Sequence, residues 1–171
     1  MKSSKYSFIL FLLILNLVSA AQVQLPQYPD SLFSTYYHQR VTLFNVLPKT
    51  NDDIIFIGNS ITDGGEWSEM FNDLQIKNRG ISGDISAGVL NRIDEVAERK
   101  PAKVFLMIGV NDLARGISAD SVVKNILLIA SYLRQETPST KLFIQSILPV
   151  NDIYNKFQGH TGKAKQIKEV N

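Results

Sequence analysis

A serine directly after an apolar segment is the first residue of this sequence that could do chemistry. Ser60 lies in the motif GNSIT at residues 58–62, which follows the apolar run 54–57. A serine hydroxyl is a poor nucleophile at neutral pH, so it needs a base to take its proton and donors to hold the resulting oxyanion. Ser60 is therefore a candidate nucleophile, and the alternative is an ordinary turn before a helix. The motif is not the Gly-x-Ser-x-Gly elbow of the α/β-hydrolases, because residue 62 is threonine.

Two later motifs contain groups that can stabilise an oxyanion. Gly83 lies in NRGISGD at residues 78–84, and Asn111 lies in GVND at residues 109–112. A glycine lets a backbone N–H approach a ligand closely, and the start of a helix predicted from Ile85 adds partial positive charge. The side-chain amide of Asn111 could donate a second hydrogen bond. Each motif taken alone also fits a turn without a ligand, since Gly, Asn and Asp are common in turns.

The elements that must position these motifs are predicted from apolar patterning. Continuous apolar runs, which are typical of strands buried on both faces, occur at 54–57, 104–108 and 142–148, with a shorter candidate at 75–78. Helical spacing of apolar residues covers 85–99, with Asp84 as a suitable N-cap, as well as 119–135 and a segment that begins at Thr161.

This alternation of strands and helices predicts the α/β class, with a parallel sheet covered by helices on both faces. Ligands of such sheets bind beyond the carboxyl ends of the strands. Ser60, Gly83 and Asn111 each follow a predicted strand. We therefore expect the three residues to converge on one rim of the sheet.

The N-terminus predicts a secretory signal peptide at residues 1–20. Lys2 and Lys5 form a positive region, an apolar run follows at 8–18, and Val18-Ser19-Ala20 offers a cleavage site after Ala20 or Ala21. The alternative is a membrane anchor or a buried helix, but the run is shorter than the ~20 residues that a spanning helix needs. The sequence therefore predicts a secreted or periplasmic protein without a stable membrane anchor after cleavage.

The remaining chain predicts one domain with an N-terminal extension. Residues 21–52 form the extension, in which a helix begins at Asp30 or Ser31 and ends near Leu47, and residues 53–171 form the domain. Removal of the signal peptide would leave about 150 residues, which is enough for a substantial core.

Composition excludes several classes of function. The formal charge is +2, and removal of Lys2 and Lys5 lowers it to zero, so no basic excess indicates a nucleic-acid partner. The absence of cysteine excludes disulfides, thiolate metal sites and a cysteine nucleophile. The two histidines and the scattered carboxylates show no metal-ligand spacing. We therefore predict neither a metal nor a cofactor.

In order and spacing, the three motifs closely resemble the first three conserved blocks of the SGNH (GDSL-type) hydrolases. The resemblance covers about residues 54–149 and implies a three-layer α/β/α, flavodoxin-like fold. It implies that Ser60 is the nucleophile and that Gly83 and Asn111 form the oxyanion hole. Asn59 and Ile61 depart from the eponymous Gly-Asp-Ser-Leu and fit secreted sialate O-acetylesterase-like or acetylhydrolase-like subgroups.

The fourth block of that family, a late Asp-x-x-His that supplies the general base, has no counterpart in the 171 residues. The histidines are His38, on the predicted N-terminal helix, and His160, which has Phe157 where the Asp would stand. On the family's plan we expect a sequence truncated at its C-terminus, with the last strand and helix missing. We also expect this chain alone to have little esterase activity and to expose an apolar sheet edge.

Three functions remain open at the level of sequence. The first is a serine esterase that removes acyl groups, most plausibly O-acetyl, from a small-molecule or glycan ester. The second is a lysophospholipase or thioesterase of the same family. The third is a non-catalytic binding protein on this fold. Glu66, Trp67 and His160 are candidate substrate contacts, although Trp67 fits a core position equally well.

Overall fold

The computed structural model describes residues 22–50 and 52–171, so the predicted signal peptide lies outside the described residues. Within these residues the centre of the fold is a parallel sheet. Its strands are β1 (Ile54–Gly58), β2 (Ile76–Gly80), β3 (Lys103–Met107) and β4 (Lys141–Ile144), arranged in the order β2-β1-β3-β4. The predicted α/β fold with a parallel sheet is confirmed.

Short and long helices connect these strands. They are α1 (Thr35–Val46), α2 (Ser60–Asp63), α3 (Trp67–Met70), α4 (Ser86–Asn91), α5 (Ile93–Glu98), α6 (Val110–Ala114), α7 (Ala119–Glu136), α8 (Gln158–Thr161) and α9 (Ala164–Val170). Among the described residues, none of the helices combines the length and the apolar character that a membrane crossing requires.

The main core lies between one face of the sheet and three helices. Side chains that alternate along the strands, such as Ile55 and Ile57, are fully buried and pack against apolar side chains of α4, α5 and α7. Burial of each such side chain stabilises the fold by roughly 1.5–3 kcal/mol. This packing fixes the strands, and therefore the loops at their carboxyl ends.

The opposite face of the sheet carries a row of stacked aromatic rings. Phe56, Phe105 and Phe143 are in register on β1, β3 and β4, and adjacent ring centroids are 4.8 and 4.7 Å apart. Trp67 of α3 extends the row, with its ring 4.7 Å from that of Phe56. We call these four residues the aromatic row. It ends at β4, where Phe143 is 43% exposed.

The predicted single helix over 85–99 is wrong. Two helices, α4 and α5, occupy this segment, and Arg92 separates them with φ −127° and ψ 11°. Asp84 is not the N-cap either, because Ile85 takes that position without a side-chain cap. The carboxylate of Asp84 instead pairs with Arg92 inside the fold.

Three other boundaries differ from the sequence prediction. Asp30–Leu32 forms a 3-10 turn, and α1 begins after Ser34, whose hydroxyl accepts a hydrogen bond from the N–H of Tyr37. The strand predicted over 142–148 is observed over Lys141–Ile144. The helix predicted from Thr161 is observed as α9, which begins at Ala164, and a separate short helix, α8, ends at Thr161. The prediction over 119–135 is confirmed by α7.

Candidate active site

The turn that carries Ser60 is fixed by hydrogen bonds on both sides. The buried side chain of Asn59 caps α2 by accepting a hydrogen bond of 3.0 Å from the N–H of Ile61. At the other end of α2, the Nδ2 of Asn78 donates to the carbonyls of Thr62, Asp63 and Gly65 at 2.8–3.0 Å. Ser60 itself is exposed, at the first position of α2.

Gly83 forms the second part of the site and has a left-handed backbone, with φ +81°. A Cβ at this position would meet no atom within 4 Å, so the space in front of the Gly83 backbone is open. Asp63 also holds this loop, because its Oδ2 accepts hydrogen bonds from the N–H and the hydroxyl of Ser82, at 3.0 and 2.7 Å. The turn that carries Ser60 and the loop that carries Gly83 are therefore joined directly.

Asn111, at the start of α6, connects the third motif to the second. Its Nδ2 donates to the carbonyl oxygen of Asp84 at 2.8 Å, and its Oδ1 lies 2.9 Å from the Nε2 of His160. An amide nitrogen carries two hydrogens. One hydrogen of Nδ2 is therefore used by Asp84, and the other is available to a ligand.

Asp112, the next residue, holds the start of α4. Its buried carboxylate accepts hydrogen bonds from the N–H of Ser86 at 3.0 Å and from the hydroxyl of Ser86 at 2.5 Å. Burial raises the pKa of the Asp112 carboxyl, although the hydrogen bonds from Ser86 oppose that effect. The GVND motif thus fixes the 84–86 backbone through two consecutive side chains.

A buried ion pair between Asp84 and Arg92 holds the backbone next to Gly83. Arg92 donates from Nη2 and Nε to Oδ2 of Asp84, at 2.8 and 3.1 Å, and both side chains are about 1% exposed. Arg92 also lies 3.4 Å from the carbonyl oxygen of Gly58, two residues before Ser60. Burial raises the pKa of the Asp84 carboxyl, and the charge of Arg92 acts in the opposite direction.

One cleft of about 840 Å³ brings the three motif residues together. Ser60, Gly83 and Asn111 line it at the carboxyl ends of β1, β2 and β3. The other lining side chains come from helices α2 and α6, from the segment 150–157 and from helix α8. They are Ile61, Val110, Val150, Asn151, Tyr154, Lys156, Phe157, His160 and Thr161.

The candidate substrate contacts fall in different places. His160 lines the cleft and bonds Asn111. Glu66 is exposed before α3, and Trp67 lies in the aromatic row with its indole N–H donating to the carbonyl of Thr62 at 2.7 Å. Neither Glu66 nor Trp67 lines the cleft, so the structure does not support substrate contact by these two residues. The ring of Trp67 instead stacks on that of Phe56.

The sequence did not predict that the segment 150–157 forms one wall of the cleft. Val150, Tyr154 and Phe157 line the cleft, and the last two are about 80% exposed. The segment follows β4 without regular structure until α8, so no periodic pattern marked it. A signal was present, however, because large apolar residues in a polar loop often mark a binding surface.

Among residues 22–50 and 52–171, no carboxylate or imidazole is hydrogen-bonded to the hydroxyl of Ser60. His38 lies on α1 with its Nε2 3.4 Å from the carbonyl oxygen of Asp30, outside the residues that line the cleft. The described residues therefore bring a serine hydroxyl, a glycine backbone and a side-chain amide to one cleft, but they place no base in contact with Ser60.

Comparison with known proteins gives relatives among acetylhydrolases. The chain is 27% identical over 124 residues to the human platelet-activating factor acetylhydrolase IB subunit alpha2, which corresponds to 69% of this chain and 53% of the relative. It is 28% identical over 121 residues to the beta-subunit homologue of that enzyme from Drosophila melanogaster, 67% of this chain and 53% of the relative. The chain spans about half the length of the curated relatives it matches.

A solved structure extends this similarity to the fold. A GDSL-like lipase from Bacteroides thetaiotaomicron superimposes with a TM-score of 0.66 and 25% sequence identity, over 79% of this chain and 69% of the lipase. The model of the GDSL-like lipase/acylhydrolase family matches residues 56–171, a range that contains Ser60, Gly83 and Asn111. A match over more than half of the chain means that this protein belongs to the GDSL-like lipase/acylhydrolase family.

Proposed function

We propose that this protein is a serine esterase that hydrolyses carboxylic esters through a covalent acyl-enzyme. The observation that carries the proposal is the convergence of Ser60, Gly83 and Asn111 on one cleft. A hydroxyl, an accessible backbone N–H and a free amide hydrogen are the groups that acyl transfer requires. Membership of an acylhydrolase family supports the same chemistry.

In the proposed reaction, the Oγ of Ser60 attacks the ester carbonyl while a general base takes its proton. The carbonyl oxygen becomes an oxyanion, which accepts hydrogen bonds from the backbone N–H of Gly83, the second Nδ2 hydrogen of Asn111 and the N–H of Ser60. Collapse of the tetrahedral intermediate releases the alcohol, which takes up the proton. Water then attacks the acyl-enzyme by the same route, which releases the acyl group as a carboxylic acid and frees Ser60.

The base is the component that the described residues do not supply. Loss of one triad member leaves a residual rate of ~10³–10⁴-fold over water from oxyanion stabilisation and binding. We therefore propose that the 171-residue chain by itself hydrolyses esters slowly.

An acetyl ester is the proposed substrate. Two named relatives are acetylhydrolases, and the subgroup resemblance of the GNSIT motif points to O-acetyl groups on carbohydrates. A longer acyl group is the second candidate, because the cleft holds about 840 Å³ and has apolar walls at Ile61, Val110 and Val150. Rates on p-nitrophenyl esters from acetyl to decanoyl distinguish the two.

The first test is labelling of the natural gene product with a fluorophosphonate, which reacts with activated serines. We expect labelling of the parent protein and of Ser146→Ala, since Ser146 is exposed and lies outside the cleft. We expect none in Ser60→Ala. Equal labelling of Ser60→Ala and the parent would show that Ser60 is not the reactive serine, and no labelling of either would favour a non-catalytic binding protein.

We further propose that the protein is secreted or periplasmic, on the basis of the charged and apolar N-terminal sequence. The intact mass of the protein from its natural host tests this. A mass that retains residues 1–20 would contradict it.

A further inference from the structure

His160 lies beside Asn111, the amide to which the proposed function assigns an oxyanion hydrogen bond. The Nε2 of His160 is 2.9 Å from Oδ1 of Asn111. The ring is partly buried and packs edge-on against Phe157, with the ring centroids 5.9 Å apart. Backbone hydrogen bonds within α8 hold His160, because its N–H donates to the carbonyl of Phe157 at 2.7 Å.

The hydrogen-bond partners of Asn111 identify its side-chain oxygen and its side-chain nitrogen. The carbonyl oxygen of Asp84 can only accept a hydrogen bond, so the atom 2.8 Å from it must be the amide nitrogen of Asn111. The atom that faces His160 is therefore the amide oxygen, which can only accept. It follows that Nε2 of His160 is the donor and carries a hydrogen.

We propose that His160 is a positioning residue for the oxyanion hole, with its Nε2–H holding Asn111 so that the second Nδ2 hydrogen points into the cleft. The inference rests on the proposed function for its catalytic consequence, but its structural content stands independently. Two contacts, from Asp84 and His160, fix the amide plane of Asn111. Without His160, that plane is held at one end only.

The proposal also limits the part that Nε2 of His160 can play. While Nε2 donates to Asn111, this nitrogen has no lone pair with which to accept the proton of Ser60. The other ring nitrogen, Nδ1, keeps a lone pair, but no hydrogen bond joins His160 to Ser60 among the described residues. His160 therefore acts on the reaction through Asn111.

The first experiment measures the tautomer of His160 in the protein by ¹⁵N NMR of the imidazole. The neutral ring is expected to carry its hydrogen almost entirely on Nε2, and Asn111→Leu is expected to shift the tautomer ratio towards that of a free imidazole. A neutral ring with its hydrogen on Nδ1 would overturn the proposal. So would a tautomer ratio that Asn111→Leu leaves unchanged.

The second experiment separates positioning from a merely structural role. His160→Ala is expected to lower kcat on p-nitrophenyl acetate by about tenfold to 100-fold, less than the ~10²–10³-fold loss from removing an oxyanion donor outright, with little change in KM. His160→Gln should restore most of the loss, because its amide N–H can replace Nε2–H. Gln158→Ala, an exposed position in the same short helix, serves as the control.

The outcomes distinguish this inference from the proposed function. If the parent protein shows no hydrolysis that depends on Ser60, the esterase proposal fails, and the tautomer measurement still decides the role of His160. If hydrolysis depends on Ser60 but His160→Ala retains the parent kcat, the positioning role is wrong and the esterase proposal stands. An equal loss of kcat in His160→Ala and His160→Gln would also overturn the positioning role of His160.

Discussion

At the scale of single residues, Gly83 combines a left-handed backbone with open surroundings. Its φ of +81° is unfavourable for any residue with a Cβ, yet a Cβ would meet no atom within 4 Å. A substitution therefore acts through backbone conformation and through the cleft, not through a steric clash in the core. Gly116 offers a matched control, because it has φ +83° and equally open surroundings but does not line the cleft.

We expect Gly83→Ala and Gly116→Ala to lower the free energy of unfolding by similar amounts, about 1–2 kcal/mol each, since both force alanine into the left-handed region. Only Gly83→Ala should also lower ester hydrolysis, because its N–H would be displaced from the oxyanion. Urea unfolding and p-nitrophenyl acetate kinetics check the two effects. Equal activity in both variants would argue against a role for the Gly83 backbone.

Residue types and spacing were sufficient to predict Ser60, Gly83 and Asn111 as a group. They did not predict what Asp84 does. An aspartate before a helical pattern has the signature of an N-cap, but whether its carboxylate turns outward or pairs inside depends on a partner eight residues later. Arg92 is that partner, and a local pattern contains no information about its burial.

At the scale of elements, the Asp84–Arg92 pair joins the Gly83 loop to the break between α4 and α5. Removing one member of a buried ion pair leaves the other charge without a partner, which typically costs 3–5 kcal/mol. We expect Arg92→Met to destabilise the fold by about that amount. We expect Asp84→Asn combined with Arg92→Met to regain part of the loss, because no buried charge remains.

Denaturant unfolding of the parent, both single variants and the double variant gives the coupling energy. A double variant no more stable than Arg92→Met alone would show that the unpaired carboxylate is not the source of the loss.

Helix α1 is attached to the domain by polar contacts that its own sequence does not reveal. The hydroxyl of Tyr37 donates to the carbonyl of Gly88 at 2.8 Å, and Tyr36 donates to Asp63 at 2.9 Å. Arg99 donates to the carbonyls of Phe44 and Pro48, at 3.0 and 2.8 Å. Apolar spacing predicted a helix in this region, but the positions of its partners follow only from the tertiary fold.

Tyr37 makes the attachment of α1 dependent on pH. Burial raises the pKa of Tyr37 from 10.0 to about 12. The folded protein holds this proton more tightly than the unfolded chain does. The contribution of Tyr37 to the free energy of unfolding is therefore complete below pH 10 and is lost as the pH rises towards 12. The loss is up to about 1.4 kcal/mol per pH unit.

Tyr37→Phe lacks this hydroxyl, so it should be less stable than the parent at pH 8, and the difference should shrink between pH 10 and 12. Urea unfolding of both proteins across this range measures the difference. A difference that stays constant with pH would contradict the assignment to Tyr37.

At the scale of the whole molecule, the two faces of the sheet differ. One face is buried under α4, α5 and α7, whereas the aromatic row on the other ends at β4, where Phe143 is 43% exposed. Exposed apolar surface next to an edge strand favours self-association. The sequence predicted each strand as apolar, but only the register of three strands brings the aromatic rings into one row.

We expect the 171-residue chain to self-associate through this face, and Phe143→Thr to reduce the association while keeping the strand propensity of β4. Leu127→Gln is the control, because Leu127 is 58% exposed on α7, away from the aromatic row. Sedimentation velocity at several concentrations measures the effect. Association that responds to Leu127→Gln and not to Phe143→Thr would contradict the proposed surface.

Trp67 is the only tryptophan in the sequence, and it stands at the end of that row beside the turn that carries Ser60. Its indole N–H bonds the carbonyl of Thr62, two residues after Ser60, and its ring rests on Phe56. Indole emission responds to hydrogen bonding and to neighbouring rings. Trp67 is therefore an intrinsic fluorophore that is hydrogen-bonded to the turn that carries Ser60. Movement of this turn can be followed by the emission of Trp67, without an added label.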